Sequence, residues 1–411
     1  MKTKCNKFLG KGTVMKRIKK GESSKDMKNL NRLLVLKLLC TEGKIKRSEI
    51  MNKTSLSKMT ATNIAEDLMG ACLIKETAVE EGAKGAGRRP TALTLSEKSP
   101  IVGGIYVGRK SCSVLFCDLC ANKISEERRE YKEINSAEDL VLFITELFSC
   151  VKSKIDREIL CVGISAPGPL DRNKGIILSP SNFFGINNLN IKEILENKLK
   201  LPCVLAHDTA CAAQGELLYG KGKGMDSFLL VHLHNGIGSG IIVKGQLFDG
   251  AMGLGGELGH ISIDHKGEKC SCGGRGCLEN YANEMNLTAD YNSISEEKLD
   301  NTSLKEIIKK VNEGDKAALF ALDNFLNYLS AALVSALNFI DTHHIVLSYH
   351  GENGLIERML EEKINSSLFA GKYRKIKVIS SAFKGDAPII GAAAAAAEEV
   401  FTGNIKITEE W

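Results

Sequence analysis

Four residues of metal-ligating types lie within eighteen positions of one another: His260, Cys270, Cys272 and Cys277. The first two thiols are too close in sequence to face one ion from a helix, but a loop can direct both inward, and the glycines of CSCGGRGC supply the backbone freedom for it. Three thiolates and a histidine form a closed tetrahedral set, which favours structural Zn²⁺ over a catalytic metal. The alternative is a chance cluster among 13 cysteines; the tight spacing favours zinc.

Two carboxylates lie next to this cluster. Glu257 stands three residues before His260, and Glu279 stands two residues after Cys277. If zinc takes one ring nitrogen of His260, the other can donate to whatever these carboxylates bind. Two carboxylates and an N–H group suit a neutral ligand with many hydroxyls. The alternative is that both glutamates are ordinary solvated residues.

The composition indicates a soluble protein of two or three domains. The chain has 411 residues, of which 43% are hydrophobic and 26% are charged, as is usual for globular proteins. No apolar run approaches the eighteen or so residues of a membrane span, and residues 1–12 lack the hydrophobic core of a signal peptide. The other cysteines are scattered singly, which fits a reducing compartment. A cytoplasmic location is therefore expected.

The charge is unevenly distributed. Residues 1–97 contain 21 Lys and Arg against 10 Asp and Glu, a net charge of +11, whereas the remaining residues have 34 against 40, a net charge of −6. A basic first quarter joined to an acidic remainder indicates a nucleic-acid-binding module. A solvated basic tail explains only residues 1–25.

The next segment has the pattern of a winged helix-turn-helix over residues 26–97. Helices are predicted at 28–40, 47–53 and 57–69, and strands at 73–78 and 91–95, with a basic tip between the strands. Short polar groups and cations suit base edges and phosphates. The residues expected to contact duplex DNA are Ser57, Lys58, Thr60, Thr62 and Asn63 of the third helix, and Lys84, Arg88 and Arg89 of the wing. Such three-helix units also mediate protein contacts, which is the alternative.

From Ile101 the pattern is that of an α/β protein. Strand pairs are predicted at 101–107 with 112–118 and at 228–234 with 240–243. A buried strand is predicted at 160–165, and another strand ends at Asp208 before a helix from Cys211 to Tyr219. A long apolar helix, 316–340, leads into a strand at 344–348, and an alanine-rich helix closes the chain.

GELGH (256–260) and CSCGGRGCLE (270–279) are similar to the zinc and sugar-binding signature of the ROK family, which comprises repressors, open reading frames and kinases. The resemblance covers residues 28–402. It implies two actin-like, RNase H-like lobes: residues 98–215, with the helix 391–402 packing back on them, and residues 216–390, with the zinc loop. It also implies that Glu257, His260 and Glu279 contact a sugar, and that Asp208 stands where the kinases have their catalytic base.

The chain departs from the kinases of that family at three nucleotide-binding elements. Residues 106–110 read Tyr-Val-Gly-Arg-Lys where kinases have roughly Asp-x-Gly-Gly-Thr, residues 234–235 read His-Asn for Gly-Thr, and residues 349–350 read Tyr-His for Gly-Gly. At the sugar site, His207 replaces the usual Asn. Asn182 lies on a loop that covers the sugar in relatives, or is an ordinary turn residue. The pattern indicates a sensor that has lost kinase activity.

The sequence is therefore interpreted as a non-enzymatic, sugar-responsive repressor of the xylose and N-acetylglucosamine type within the resembled family. Its expected partners are double-stranded operator DNA, a sugar effector and a second copy of itself, as a homodimer or a tetramer, without a membrane. Sugar is expected to close the lobes and weaken operator binding. Two alternatives stay open: an active sugar kinase with a fused DNA-binding domain, and a repressor relieved by a protein partner with a vestigial pocket.

Overall fold

The computed structural model describes residues 24–78, 91–234, 236–251, 253–351, 354–369 and 371–407. Its first unit has three helices and an antiparallel strand pair, at the positions that the hydrophobic pattern predicts. These elements are α1 (Ser24–Glu42), α2 (Arg47–Thr54), α3 (Lys58–Gly70), β1 (Ile74–Ala78) and β2 (Thr91–Leu95). The Ser57 side chain accepts a hydrogen bond from the Thr60 N–H at 3.1 Å and so caps α3. The wing residues Lys84, Arg88 and Arg89 lie outside the described residues.

The first lobe is built on a five-stranded sheet with the strand order β5-β4-β3-β6-β9. Its elements are β3 (Ile101–Val107), β4 (Ser111–Asp118), β5 (Lys123–Glu130), α4 (Ala137–Lys152), β6 (Ile159–Ala166), the short β7 (Leu170–Asp171) and β8 (Ile176–Ile177), α5 (Ile191–Leu199), β9 (Cys203–His207) and α6 (Asp208–Tyr219). The helix predicted from Cys211 begins three residues earlier, because the His207 imidazole accepts the Thr209 N–H at 3.3 Å and caps it.

The second lobe repeats this plan with the strand order β12-β11-β10-β13-β14. Its elements are β10 (Phe228–Leu233), β11 (Ile237–Val243), β12 (Gln246–Leu247), α7 (Glu284–Ile294), α8 (Leu304–Asn312), α9 (Lys316–Ile340), β13 (His344–Ser348), α10 (Leu355–Ser367) and β14 (Lys377–Ser380). The last helix, α11 (Ala387–Phe401), packs back on the first lobe, as predicted for 391–402. In both sheets, three antiparallel strands continue into parallel ones. The predicted α/β class with two lobes is confirmed.

Strand β11 starts earlier than the predicted 240–243 because its glycines belong to the strand. A Cβ on Gly240 would lie 2.3 Å from the Thr209 carbonyl oxygen of α6, so the strand needs a glycine there. This close approach brings the start of α6, on the first lobe, against the second sheet. The candidate site lies at this junction.

Helix α9 is long and apolar enough to cross a membrane by length and composition alone. In the structure it lies in the core of the second lobe, with Phe325, Leu329, Leu333 and Leu337 at most 6% exposed. It packs against α7, α8 and α10. Burial within the protein therefore accounts for one part of its apolar residues, whereas Leu319, Phe320 and Phe339 are exposed.

The N-terminal unit shares one hydrophobic core with the first lobe. Leu36 and Leu39 of α1 belong to the same buried cluster as Leu115 of β4 and Phe401 of α11. At the rim of this contact, Lys37 Nζ forms an ion pair with Glu398 at 2.7 Å. Helix α11 in turn packs on β3 and β6 of the first sheet and on α6. The three-helix unit is thus fixed to the lobe through α11.

Candidate functional site

His207 and Asp208 stand at the point where β9 ends and α6 begins. His207 Nδ1 lies 3.1 Å from Asp208 Oδ1 and 2.8 Å from Thr209 Oγ1. Burial raises the pKa of Asp208, but the adjacent His207 and, further off, Arg109 outweigh it and lower that pKa, so the carboxylate stays ionised. It can accept a ligand hydroxyl but is already partly satisfied by His207 and the Thr209 N–H, 2.7 Å away.

Glu257 and His260 lie on a short 3₁₀ turn of the second lobe, Leu258–His260. The turn is pressed against β11: Gly256 has φ +92°, and a Cβ there would lie 2.1 Å from the Ser239 carbonyl oxygen. A glycine is therefore required before Glu257. Glu257 Oε1 reaches across the cleft to within 3.6 Å of His207 Nε2. The two lobes meet at this pair of side chains.

The predicted metal ligands converge on one point. The ligand atoms of His260, Cys270, Cys272 and Cys277 all lie within 4.8 Å of one another. Cys272 Sγ is 3.6 Å from Cys277 Sγ, and Cys270 Sγ is 3.8 Å from His260 Nδ1. A tetrahedral Zn²⁺ with bonds of about 2.3 Å needs ligand separations of about 3.8 Å. The donor set and its spacing fit a structural metal.

The two nitrogens of His260 serve different sides of this cluster. Nδ1 faces the thiols, whereas Nε2 lies 4.0 Å from Glu279 Oε2. Burial raises the pKa of the Cys270 thiol, but hydrogen bonds from Cys272, Cys277 and His260 outweigh it and lower that pKa to about 7. One thiol of the cluster is therefore readily ionised, as a metal ligand must be.

Five of the predicted sugar-binding residues line a single cavity of about 400 Å³ between the lobes, which we name the inner cavity. They are His207, Asp208, Glu257, His260 and Glu279. Asn182 does not join them: it has φ +55° in its loop and lines a neighbouring cavity of about 880 Å³, the outer cavity. Its neighbour Ser181 lines both cavities.

Two site residues were not predicted from the sequence. Arg109 lines both cavities, and its Nε donates to the Ser181 carbonyl oxygen at 3.1 Å. His232 lines the inner cavity and is buried, with Nδ1 2.9 Å from Ser348 Oγ. Burial lowers the pKa of His232, so it is neutral. The available signals were an arginine in a glycine turn and a histidine inside the apolar strand FLLVHL.

The outer cavity is lined by residues of the altered nucleotide elements. Lys110, His234, Tyr349 and His350 all border it. The rings of His234 and His350 meet edge to face at 5.2 Å, and a Cβ on Gly385 would lie 2.1 Å from the His350 ring. Imidazoles therefore fill part of this space. Asn235 lies outside the described residues.

The predicted DNA-contacting residues of α3 lie on its outer surface. Ser57, Lys58 and Asn63 are exposed, and Thr60 and Thr62 are partly exposed, whereas Ala61, Ile64, Ala65 and Leu68 are buried. Arg32 of α1 forms an ion pair at 2.6 Å with Asp67 of α3, one turn after Asn63. Met59, which sequence reasoning passed over, is 75% exposed on the same outer surface.

The chain resembles several repressors over most of its length. A model of the ROK family matches residues 102–399. The xylose repressor of Bacillus subtilis (strain 168) is 28% identical over 370 residues, covering 89% of this chain and 94% of that protein. The N-acetylglucosamine repressor of Escherichia coli O157:H7 is 28% identical over 353 residues, covering 83% of this chain and 85% of that protein.

Comparison with solved structures also finds ROK family proteins. A ROK family transcriptional regulator described as a homolog of the E. coli MLC protein has a TM-score of 0.74 at 26% identity, covering 92% of this chain and 97% of that one. A ROK family glucokinase from Streptomyces griseus, solved with glucose and AMPPNP, shares the fold with a TM-score of 0.64 at 24% identity, covering 72% of this chain and 98% of that one. Since the family model spans more than half of its length, this chain belongs to the ROK family.

Proposed function

We propose that this protein is a sugar-responsive transcriptional repressor that binds operator DNA through residues 26–97 and a sugar through the inner cavity. The observation that carries the proposal is the convergence of acceptors and donors from both lobes, with Asp208 and His207 on one side and Glu257, His260 and Glu279 on the other. Such a set suits a ligand with many hydroxyls. The similarity to a repressor over 89% of the chain and to a transcriptional regulator over 92% of it supports the DNA-binding part.

The proposed DNA-binding part is a winged helix-turn-helix with α3 in the major groove. Helix α3 presents short polar side chains, Lys58 and Met59 on its free surface, which matches base edges, phosphates and thymine methyl groups. The protein would act in the cytoplasm as a homodimer, with the two copies of α3 on half-sites about one helical turn apart or a multiple of that. Zn²⁺ bound by the His260 and cysteine cluster would hold the loop that carries Glu279.

The proposed mechanism is closure of the lobes by sugar. A ligand that touches Asp208 and Glu257 together binds best when the lobes are close, so it shifts the population towards that state. Because the N-terminal unit shares a core with the first lobe, movement between lobes changes the spacing of the two α3 helices in a dimer. We expect sugar to weaken operator binding by roughly 1–3 kcal/mol.

The test uses the purified full-length protein, its operator fragment and a panel of aldoses and amino sugars. Glu257→Ala should abolish the sugar response. It should leave the sugar-free DNA affinity nearly unchanged, because Glu257 belongs to the second lobe and α3 to the N-terminal unit. Glu268→Ala is the matched control, because Glu268 is an exposed glutamate of the zinc loop. If the Glu257→Ala variant releases DNA at the same sugar concentration as the wild type, the proposal is contradicted.

We further propose that the sugar is bound without being phosphorylated. Arg109 stands in the first phosphate turn, and the His234 and His350 rings occupy the second-lobe side of the outer cavity, which disfavours productive ATP binding. Assays with ATP and Mg²⁺ should show no turnover above background, with a ROK glucokinase as positive control. If the wild type phosphorylates a sugar and Asp208→Asn abolishes that activity, the protein is a sugar kinase.

A further inference from the structure

Three cysteines lie at the contact between the N-terminal unit and the first lobe. Cys40 is near the end of α1, Cys117 is in β4, and Cys120 is in the turn from β4 to β5. Cys40 and Cys117 are buried in the hydrophobic cluster that joins the two units, and the partly exposed Cys120 packs against that cluster. None of the three lines the inner cavity or belongs to the zinc cluster.

The side chains of Cys40 and Cys120 contact each other across this boundary. A hydrogen bond joins the two thiols, and both are free of disulfide bonds in the structure. Burial raises the pKa of the Cys40 thiol, and Cys120 and Asp118 raise it further. Cys40 therefore stays protonated, because a buried thiolate next to the Asp118 carboxylate would be poorly stabilised.

The turn from β4 to β5 is held in place on the side of Cys120. The Asp118 carboxylate accepts the Cys120 N–H at 2.9 Å, and the Tyr219 hydroxyl of α6 donates to the Leu119 carbonyl oxygen at 2.9 Å. Two successive residues of the turn are thereby fixed. Little movement is needed to bring two hydrogen-bonded sulfur atoms to the bonding distance of about 2.05 Å.

The end of α1 is held in place on the side of Cys40. The Lys223 ammonium group donates to the carbonyl oxygen of Thr41, the residue after Cys40. Lys37, three residues before Cys40, pairs with Glu398 of α11 at 2.7 Å. Both contacts join α1 to the body of the protein within one helical turn of the thiol. A covalent bond at Cys40 would therefore join positions that already lie together, without displacing α1.

We propose that Cys40 and Cys120 form a reversible disulfide when the protein reacts with a peroxide, and that this bond ties α1 to the first lobe. The Cys120 thiolate attacks one peroxide oxygen and the O–O bond breaks. The product is a Cys120 sulfenic acid, and the leaving hydroxide takes up the proton that the thiol released and becomes water. The Cys40 sulfur then attacks the Cys120 sulfur, the S–O bond breaks, and a second water leaves with the Cys40 proton.

The exposure of the thiols sets the order of these two steps. Cys120 reacts first because peroxide can reach its partly exposed sulfur, whereas Cys40 is only 2% exposed. Two thiols are oxidised and one peroxide is reduced to two waters. Cys117 competes as a partner, but the hydrogen bond to Cys120 belongs to Cys40. The disulfide forms whether or not the protein binds DNA or sugar.

The test treats the full-length protein with a small molar excess of hydrogen peroxide, blocks the remaining thiols with iodoacetamide, and maps bonds by mass spectrometry after tryptic digestion. The expected product is a linked pair of residues 38–44 and 111–123, which contain Cys40 and Cys120. Fragmentation should place the bond at Cys120 and not at either other cysteine of that peptide. The product should run as a single chain on a non-reducing gel, and dithiothreitol should restore both free peptides.

Three substitutions test the two steps and their location. In Cys120→Ser, Cys40 should remain a free thiol, because the sulfur that reacts first is missing. In Cys40→Ala, Cys120 should stop at the sulfenic acid, which dimedone traps as an adduct on residues 111–123. Cys150→Ser is the matched control, because Cys150 is also partly exposed but lies on α4. It should form the bond as the wild type does.

The melting temperature measures whether the bond ties the two units together. The bond closes a loop of about eighty residues, so the oxidised wild type should melt roughly 5 °C or more above the reduced protein. The Cys120→Ser variant keeps the zinc cluster and therefore reports any effect of peroxide at that cluster. The rise in the wild type is measured against the change in this variant.

Four results would overturn the proposal. The first is a Cys120 that stays reduced, or passes to the sulfinic acid, while Cys40 remains free. The second is a bond from Cys120 to Cys117, and the third is a bond between two chains. The fourth is a rise in melting temperature that is no larger in the wild type than in Cys120→Ser.

Discussion

His207 is the side chain through which the first lobe meets the carboxylate of the second. Its Nε2 lies 3.6 Å from Glu257, and its Nδ1 lies 3.1 Å from Asp208. Burial lowers the pKa of His207, but the two carboxylates outweigh it, so the net shift is upward. A proton taken up by His207 would therefore be stabilised by a carboxylate from each lobe.

This arrangement predicts a pH-dependent contribution to stability. A group whose pKa is raised on folding stabilises fully below its unfolded pKa, about 6.5 for histidine, and this contribution is lost as pH rises through the folded pKa. The melting temperature of His207→Gln should fall further below that of the wild type at about pH 5.5 than at about pH 8.5. The exposed His343→Gln is the control. If the melting temperature of His207→Gln lies equally far below that of the wild type at both pH values, His207 does not stabilise the fold through its charge.

The metal cluster predicts one equivalent of zinc per chain. Cys272→Ser removes one of four ligands, so bound metal should fall towards zero in elemental analysis. Because metal binding contributes to folding, the melting temperature should drop by more than about 5 °C. Cys72→Ser alters an exposed cysteine outside the cluster and should change neither. A metal-free wild-type protein with an unchanged melting temperature would contradict the site.

Among the elements, α3 depends on a cap that also faces DNA in the proposed function. Ser57 accepts the Thr60 N–H at 3.1 Å, and Ser57→Ala should lower the free energy of unfolding by about 1 kcal/mol. Ser57→Asp keeps a capping acceptor but adds negative charge at the same surface. It should therefore retain stability in denaturant titration and lose DNA affinity. Loss of stability in both variants, with equal DNA binding, would remove Ser57 from the proposed interface.

Two loops on opposite sides of the cleft are joined by an ion pair. Arg172, after β7, contacts Asp249, after β12, and both side chains are about two-thirds buried. Removal of either partner should weaken sugar binding by about 0.5–1 kcal/mol, since a partly exposed pair contributes little more. The double variant should be no weaker than either single one in a double-mutant cycle. Additive losses would show that the two side chains act separately.

For the whole molecule, the shared core predicts that the N-terminal unit and the first lobe open together. Leu115 of β4 is fully buried in the cluster that also contains Leu36 and Leu39 of α1. Leu115→Ala should cost about 2–5 kcal/mol and accelerate amide exchange in α1 as well as in β4. Ile164→Ala, in the first lobe's other cluster, should accelerate exchange in the lobe and spare α1. If Leu115→Ala also left exchange in α1 unchanged, the two units would open independently.

The sequence predicted those parts of the molecule whose signals are local. The leucines of α1 and the cysteine spacing of the zinc loop each lie within one short segment. The strand β5 was missed because KISEERRE has no apolar alternation; it is an edge strand, where charge prevents pairing with other chains. Arg109 was noted only as a lost glycine, because its position between two cavities depends on how the lobes meet. No pattern within residues 106–110 contains that information.

The packing of α1 on α11 bears on how such regulators acquire new operators. Helix α11 comes from the far end of the chain, yet Phe401 and Val400 share a core with Leu36 and Leu39, and Glu398 pairs with Lys37. The N-terminal unit is therefore not an independent module that can be exchanged between proteins. A graft of residues 26–97 from a relative would leave mismatched volumes against α11, whereas substitutions confined to the free surface of α3 would retarget the protein and keep its response to sugar.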